Sequence, residues 1–209
     1  MQKERSPKPK FVDPIIVVYA GPMFSGKSDE LIRELRTLPF AGYKVQAFKP
    51  ERDDRRGVNT VNSESGAEHS ATSAASARDI LKQLETGVQV VGIDEAQFFD
   101  EDLPDVCEEL CVRGIKVLVA GLPLDFRGEP FGPMGKLMQI ADDIHRCHAY
   151  CAVCGEKASR TQRVVVHGDK RVPANYNDPV VLVGGIDDYE ARCRQHHEVP
   201  GKPERKMND

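Results

Sequence analysis

The sequence predicts an α/β fold, in which a parallel sheet is flanked by helices and followed by a smaller module. Short apolar runs rich in β-branched residues recur along the first 120 residues, and amphipathic segments lie between them. After about residue 144, His, Cys and Arg become dense. Continuous apolarity is typical of strands covered on both faces. Alternating strands and helices then favour a parallel sheet with right-handed crossovers.

The individual elements follow from these runs. Strands are expected at residues 14–20, 43–48, 88–93 and 115–120. Helices are expected at residues 28–38, 76–85 and 103–113, where apolar residues share one face. Gly87 and Gly114 follow the last two helices as stop signals. Residues 51–73 are polar and without a period, so they are predicted to form a long loop, which in a compact domain is usually functional or disordered.

The chain divides into two ordered regions between two polar ends. Residues 13–144 are expected to form the main domain and residues 145–199 the second module, with strand-like runs at 161–166 and 179–183. Residues 1–12 and 200–209 are charged or polar and are expected to be disordered tails.

Composition excludes several classes of protein. The 209 residues are 40% hydrophobic and 30% charged, with a formal net charge of -4, which is typical of a globular domain. An acidic balance argues against a general nucleic-acid footprint. No apolar run approaches the roughly 20 residues of a membrane span, and the charged N-terminus is unlike a secretory signal. The expected compartment is therefore the cytoplasm, with no nucleic-acid or membrane partner.

Residues 21–28 read GPMFSGKS and match G-x-x-x-x-G-K-[ST], the P-loop motif. Gly21 and Gly26 permit the backbone angles and the close approach that a phosphate-binding loop needs. Lys27 would neutralise the β- and γ-phosphates of ATP, and the Ser28 hydroxyl would bind Mg²⁺. A strand precedes the motif and a helix follows it, which favours a RecA-like P-loop sheet with phosphate at a helix N-terminus. Met23, Phe24 and Ser25 complete the predicted ATP-binding loop.

Asp94 and Glu95 end the apolar run at residues 88–93. A carboxylate at a strand end is the expected partner of a P-loop, because Asp94 could join the Mg²⁺ shell through water or through Ser28. Glu95 is placed to accept a proton from an attacking hydroxyl or water. Gln97, in the same segment, is predicted to contribute to cofactor binding. The pattern is informative only because the P-loop accompanies it.

Cys151-x-x-Cys154 and, 38 residues later, Cys193-x-x-His196 form two ligand pairs. Four such ligands suit tetrahedral Zn²⁺, and with every position filled by protein the site would be structural. Cys147, His148 and His197 lie nearby as competing ligands. Cys107 and Cys111, one helical turn apart, are interpreted as half-buried helix residues.

Five segments occur here in one order: residues 21–28, 94–99 and 126–132, the Cys/His pairs, and residues 184–189. Together they resemble the zinc-containing (type II) thymidine kinases, the cytosolic kind of bacteria and animals. The resemblance spans about residues 14–196. The P-loop and the acid pair alone leave two classes open: a small-molecule kinase, and a P-loop NTPase that switches or acts on DNA and carries a zinc-ribbon appendage. The resemblance favours the first, with thymidine as the substrate and another deoxynucleoside as the alternative.

The resemblance implies a reaction and roles for single residues. The enzyme would transfer phosphate from ATP to the 5′-hydroxyl of thymidine, with Glu95 as the general base. The lasso-like segment 156–192, anchored by zinc, would close over the nucleoside. The backbone of Val181, Leu182 and Val183 would bind the thymine ring. The pocket residues implied are Met23, Leu122 and Thr161 around the 5-methyl group and Phe126 and Tyr189 against the base and sugar. Asp53 and Arg55 would lie near the phosphates.

The resemblance also implies a homotetramer and feedback inhibition by thymidine triphosphate. This chain departs from the family pattern at three positions. His196 stands where many relatives have Cys, which leaves His196 and His197 as alternative fourth zinc ligands. Asp29 replaces a frequent Thr, and Ala96 a frequent Gly.

Overall fold

The computed structural model describes residues 12–51, 60–63, 65–168, 170–181 and 186–204. Its centre is a six-stranded sheet in which every neighbouring pair is parallel. The strands are β1 (Ile16–Ala20), β2 (Val45–Pro50), β5 (Thr72–Ala74), β6 (Val90–Ile93), β7 (Lys116–Gly121) and β8 (Asp143–Arg146). Their spatial order is β5-β2-β6-β7-β1-β8. The predicted α/β fold with a parallel sheet is confirmed.

Helices cover both faces of this sheet. They are α1 (Lys27–Thr37), α2 (Ala77–Lys82), α3 (Leu103–Val112) and α4 (Met134–Ile140). Along β1, Val17 and Tyr19 belong to the core that contains α1. Ile16 and Val18 belong to the core that contains α2, α3 and α4. This alternation explains the continuous apolar run, because each face of the strand meets a different helical layer. In the described part of the chain, no helix is long and apolar enough to cross a membrane.

The second module consists of short antiparallel strands. They are β9 (Ala149–Tyr150), β10 (Lys157–Ala158), β11 (Arg160–His167), β12 (Lys170–Pro173) and β13 (Tyr189–Arg192). β9 and β10 form a hairpin, and β11 pairs with both β12 and β13. The strand expected at residues 161–166 is β11. The strand expected at 179–183 is not present at residues 179–181, which are irregular, and Leu182 and Val183 lie outside the described residues.

The loop predicted at residues 51–73 contains strands where it is described, so that prediction is wrong there, and residues 52–59 and 64 lie outside the described residues. β3 (Thr60–Asn62) and β4 (Glu68–Ser70) form a hairpin, and β5 is an edge strand of the main sheet. Strands of three residues in polar sequence carry no detectable period, so pattern reasoning misses them. β8 was also missed, and the boundary expected between residues 144 and 145 falls inside it.

Of the two disordered tails expected at the chain ends, the C-terminal one differs from expectation. Most of the predicted N-terminal tail lies outside the described residues, and Val12 packs against the α1 side of the core. In the predicted C-terminal tail, residues 200–204 are described and make contacts. The Pro200 carbonyl accepts a hydrogen bond from the Tyr176 N–H at 2.8 Å, and the Lys202 ammonium pairs with Glu129 at 2.8 Å. The ordered chain therefore extends past residue 199.

Candidate active site and metal centre

The P-loop connects β1 to α1 and has the backbone that phosphate binding requires. Phe24 and Gly26 are left-handed, with φ of 65° and 75°. Alternation of left- and right-handed residues turns successive N–H groups toward one point. A Cβ on Gly21 would lie 2.5 Å from the Cys147 carbonyl oxygen, so no larger residue fits there. Lys27, the first residue of α1, is buried. These features suit a loop that surrounds phosphate oxygens.

Asp94 follows β6 and faces the P-loop across the end of the sheet. The Ser28 hydroxyl donates to Asp94 Oδ1 at 3.1 Å. Burial raises the pKa of Asp94 to about 7, and the neighbouring Glu95 adds to the rise while Lys27 opposes it. A serine hydroxyl and a carboxylate are oxygen donors of the kind that Mg²⁺ prefers. The pair can therefore hold a divalent cation beside the phosphates.

Glu95 is held in an unusual backbone conformation. Its φ of 50° is left-handed, which costs a non-glycine residue about 1–3 kcal/mol. The Gln97 amide N–H₂ donates to Glu95 Oε2. Gln97 Oε1 in turn accepts from the Leu122 backbone N–H at 2.9 Å. Gln97 thus fixes the Glu95 carboxylate relative to the end of β7, a contact that the cofactor-binding assignment of Gln97 did not foresee.

The residues expected around the nucleoside come from four separate segments. Leu122, Phe126 and Thr161 are buried, and Met23 and Tyr189 are half-buried. The Met23 N–H donates to Thr161 Oγ1 at 3.0 Å, which joins the P-loop to β11. Leu122 is joined to Glu95 through Gln97. The structure thus brings Met23 and Thr161 into contact and links Leu122 to Glu95.

Four of the expected site residues lie outside the described residues: Asp53, Arg55, Leu182 and Val183. Val181 is described, and it is 55% exposed. The roles expected for all five remain predictions.

Sequence reasoning missed several residues that support this region. Arg163 is buried on β11, with its guanidinium over the Phe126 ring. His197 Nε2 donates to the Phe126 carbonyl at 2.8 Å, and burial lowers its pKa below the ordinary value. Buried Asp125 accepts from the N–H groups of Arg127 and Glu129 and so closes the turn after Phe126. The only sequence signal was the Asp-x-x-Gly pattern of that turn.

Cys151, Cys154, Cys193 and His196 converge at one point, with all four ligand atoms within 4.8 Å of one another. Two ligand-atom separations are 3.2 Å between Cys193 Sγ and His196 Nδ1, and 3.9 Å between Cys154 Sγ and Cys193 Sγ. Ligand bonds of about 2.0–2.3 Å in a tetrahedron give separations of this size. The group could hold zinc. His196 belongs to it, whereas His197 faces Phe126.

The metal-ligating group adjoins the P-loop. Phe24 packs against the small cluster formed by Ala149, Cys151, Ala158 and Ala191, and so does Cys193. The residue with the strained φ in the P-loop therefore contacts the module that carries the cysteines.

A parallel sheet with a P-loop after its first strand, and a Ser–Asp pair at the strand ends, places the chain among the P-loop nucleotide-binding proteins. Within that class, the three-cysteine, one-histidine group indicates a member that could also hold a metal ion. A family model described as thymidine kinase matches residues 14–197, most of the chain. The chain belongs to the thymidine kinase family, as the resemblance predicted. Membership implies a kinase that uses ATP and thymidine as its substrates.

Proposed function

We propose that this protein transfers the γ-phosphoryl group of ATP to the 5′-hydroxyl of thymidine. The observation that carries the proposal is the hydrogen-bonded path from Glu95 through Gln97 to the Leu122 backbone. Asp94, the residue before Glu95, accepts from the Ser28 hydroxyl, and Leu122 is one of the residues expected in the nucleoside pocket. These contacts support a role for Glu95 between the expected cation site and the expected nucleoside pocket. A base that serves phosphoryl transfer must lie at this junction.

The phosphate half of the site acts through position and charge. The P-loop N–H groups and the Lys27 ammonium hold the triphosphate. Ser28 and Asp94 hold Mg²⁺, which when bound neutralises charge on the β- and γ-phosphates. Arg55 adds charge stabilisation near the phosphates, with Asp53 beside it.

Glu95 takes the proton of the thymidine 5′-hydroxyl. That oxygen forms a bond to the γ-phosphorus, and the bond from phosphorus to the β–γ bridging oxygen breaks. The bridging electron pair leaves with ADP, and the products are thymidine 5′-monophosphate and ADP. The near-linear arrangement of the attacking and leaving oxygens is set by the protein, which supplies no covalent intermediate.

The nucleoside half of the site recognises thymine by shape and backbone. Met23, Leu122 and Thr161 surround the 5-methyl group, while Phe126 and Tyr189 hold the base and sugar. The backbone of residues 181–183 bonds the edge of the ring. Segment 156–192 closes over the nucleoside and excludes water, so that ATP is not hydrolysed instead. The zinc held by Cys151, Cys154, Cys193 and His196 anchors this segment.

Assembly and regulation follow from the family resemblance. The active form is expected to be a homotetramer, and thymidine triphosphate is expected to inhibit it by feedback. Sizing chromatography with light scattering, and inhibition assays at fixed thymidine, test these two expectations separately.

The direct test offers Mg-ATP with thymidine, deoxyuridine, deoxycytidine or no nucleoside, and measures ADP and nucleoside monophosphate. The proposal predicts one thymidine monophosphate for each ADP, and little product from deoxycytidine. Equal ADP release without nucleoside would instead indicate a P-loop ATPase, whose stimulation by DNA should then be measured. Efficient use of deoxycytidine would indicate a kinase of another deoxynucleoside.

Glu95→Gln tests the base. The variant keeps the size and hydrogen-bonding capacity of the side chain but cannot take a proton, so turnover should fall by about 10²–10⁴-fold while ATP binding persists. Glu101→Gln, an exposed neighbour, is the control and should retain full turnover. Near-normal turnover by Glu95→Gln would remove Glu95 from this role.

A further inference from the structure

Arg163 lies in the middle of β11 and is only 4% exposed. No carboxylate among the described residues forms an ion pair with it, and its Nε has no hydrogen-bond partner there. A buried cation without a counter-ion is costly, and such groups are usually paired. The arrangement therefore needs an account beyond the stability of the module.

Two of its contacts reach groups that the proposed function assigns to the nucleoside. Arg163 Nη1 donates at 2.6 Å to the carbonyl of Pro179, two residues before the segment expected to bind the thymine edge. The guanidinium carbon lies 5.5 Å from the centroid of the Phe126 ring. One side chain thus fixes an aromatic ring and a main-chain carbonyl at the same time.

The register of the small sheet adds a third neighbour. Arg163 pairs with Tyr189 across β11 and β13, and directly opposite residues project to the same face. Thr161, two residues earlier on β11, shares that face, because side chains alternate along a strand. Gln162 points the other way and bonds the Glu198 backbone. The Arg163 face of β11 is therefore the face with the expected nucleoside residues.

We propose that Arg163 is a positioning residue for the nucleoside site, an inference that rests on the proposed function. The guanidinium lies over the Phe126 ring, with its central carbon 5.5 Å from the ring centroid, while Nη1 donates to the Pro179 carbonyl. Only arginine combines a stacking face with several directed donors, since the lysine ammonium is a point charge on a flexible stem. Arg163 therefore holds the Phe126 ring and the chain at Pro179 at a fixed distance from each other. Loss of Arg163 weakens thymidine binding and leaves ATP binding intact.

The test compares Arg163→Met and Arg163→Lys with the exposed control Arg113→Met. Steady-state kinetics are measured with thymidine and with ATP as the varied substrate, and zinc content and thermal midpoint check folding. Arg163→Met should raise the thymidine KM about tenfold or more, the effect of losing a charge-assisted hydrogen bond. Arg163→Lys should raise the thymidine KM nearly as much, because the lysine ammonium cannot reproduce the planar guanidinium over the Phe126 ring. The ATP KM and the control should not change.

The outcomes separate this inference from the proposed function. If the wild-type protein does not phosphorylate thymidine, the proposed function fails first. If it does, an unchanged thymidine KM in both variants, or an equal rise in both KM values, overturns the inference. If Arg163→Met does not fold, thymidine titration of Arg163→Lys decides: wild-type affinity would overturn the positioning role.

Discussion

The P-loop domain and the Cys/His module are held together in different ways. In the domain, two layers of helices bury Leu31, Ile93, Leu103 and many other apolar side chains against the sheet. In the module, the buried apolar cluster consists of Ala149, Cys151, Ala158 and Ala191. Such small side chains remove little surface from water, at about 25 cal/mol per Å² of apolar area. We therefore expect packing to suffice for the domain and the module to depend on a bound metal.

Metal removal gives the largest expected difference between the two regions. Structural zinc contributes about 10–16 kcal/mol in small metal-dependent folds. Cys151→Ser, or a strong chelator, should abolish amide-exchange protection in β9, β10 and β13 while β1, β6 and β7 remain protected. The measurement is hydrogen exchange with mass spectrometry.

Cys147→Ser is the matched control. The sequence places Cys147 near the ligand pairs as an alternative ligand, but Cys147 does not belong to the metal-ligating group in the structure. It should retain zinc and the native exchange pattern. A protein that keeps full protection of the module without metal would contradict the comparison. Because Phe24 packs against the module, metal removal should also weaken ATP binding.

The same contrast explains what the sequence could predict. Continuous apolar runs such as residues 88–93 identify central strands, since burial on both faces leaves a local signature. The P-loop, the Asp94–Glu95 pair and the Cys/His spacing are also local patterns. β5 and β8 are edge strands, and their pairing depends on neighbours far along the chain.

Two features of the site were beyond sequence reasoning for a similar reason. Gln97 joins Glu95 to Leu122, and Arg163 joins Phe126 to Pro179. Each bond links segments that only the fold brings together. An arginine in a polar strand is expected to be exposed, so nothing in the local sequence indicated that Arg163 is buried.

Leu35→Ala tests the claim that packing holds the P-loop domain. Leu35 is fully buried, and a Cβ on Gly92 would lie 2.8 Å from its side chain. The substitution should lower the free energy of unfolding by about 2–5 kcal/mol, measured by urea denaturation of the zinc-loaded protein. Val112→Ala, 86% exposed on α3, is the control and should change it by less than about 0.5 kcal/mol.

A double-mutant cycle sharpens this test. Gly92→Ala alone should be destabilising, because its methyl group meets Leu35. In the Leu35→Ala background the same methyl occupies vacated space, so the two effects should not add. Strict additivity would mean that Leu35 does not fill the space above Gly92.

Asp94 introduces a pH dependence into the stability of the domain. Its pKa is about 7 in the folded protein and near 3.8 when unfolded. Between these values the native state binds a proton that the unfolded state lacks, so the free energy of unfolding falls as pH rises. The stability of Asp94→Asn relative to the wild type should therefore increase as pH rises from about 4 to about 7 in the absence of Mg-ATP. Urea denaturation midpoints of the two proteins measure this difference.

Asp105→Asn is the control for this series. The Lys136 ammonium holds the pKa of the exposed Asp105 carboxyl below its ordinary value, so its removal should be slightly destabilising. Its effect should be constant once the pH is well above the ordinary carboxyl pKa, from about pH 5 to about pH 7. A constant difference between Asp94→Asn and the wild type from pH 4 to pH 7 would show that Asp94 titrates normally.

The smallest expected effect concerns the contact that connects the chain end after the Cys/His module to the P-loop domain. Lys202 pairs with Glu129 at 2.8 Å and donates to the Arg127 carbonyl, in the turn that follows Phe126. Both partners are partly exposed, so Lys202→Met should cost about 0.5–1 kcal/mol at low salt and less at high salt. Lys82→Met, which breaks an exposed pair within α2, should cost less. A salt-independent loss above about 2 kcal/mol would mean that the chain end is an integral part of the interface between the two regions rather than a surface contact.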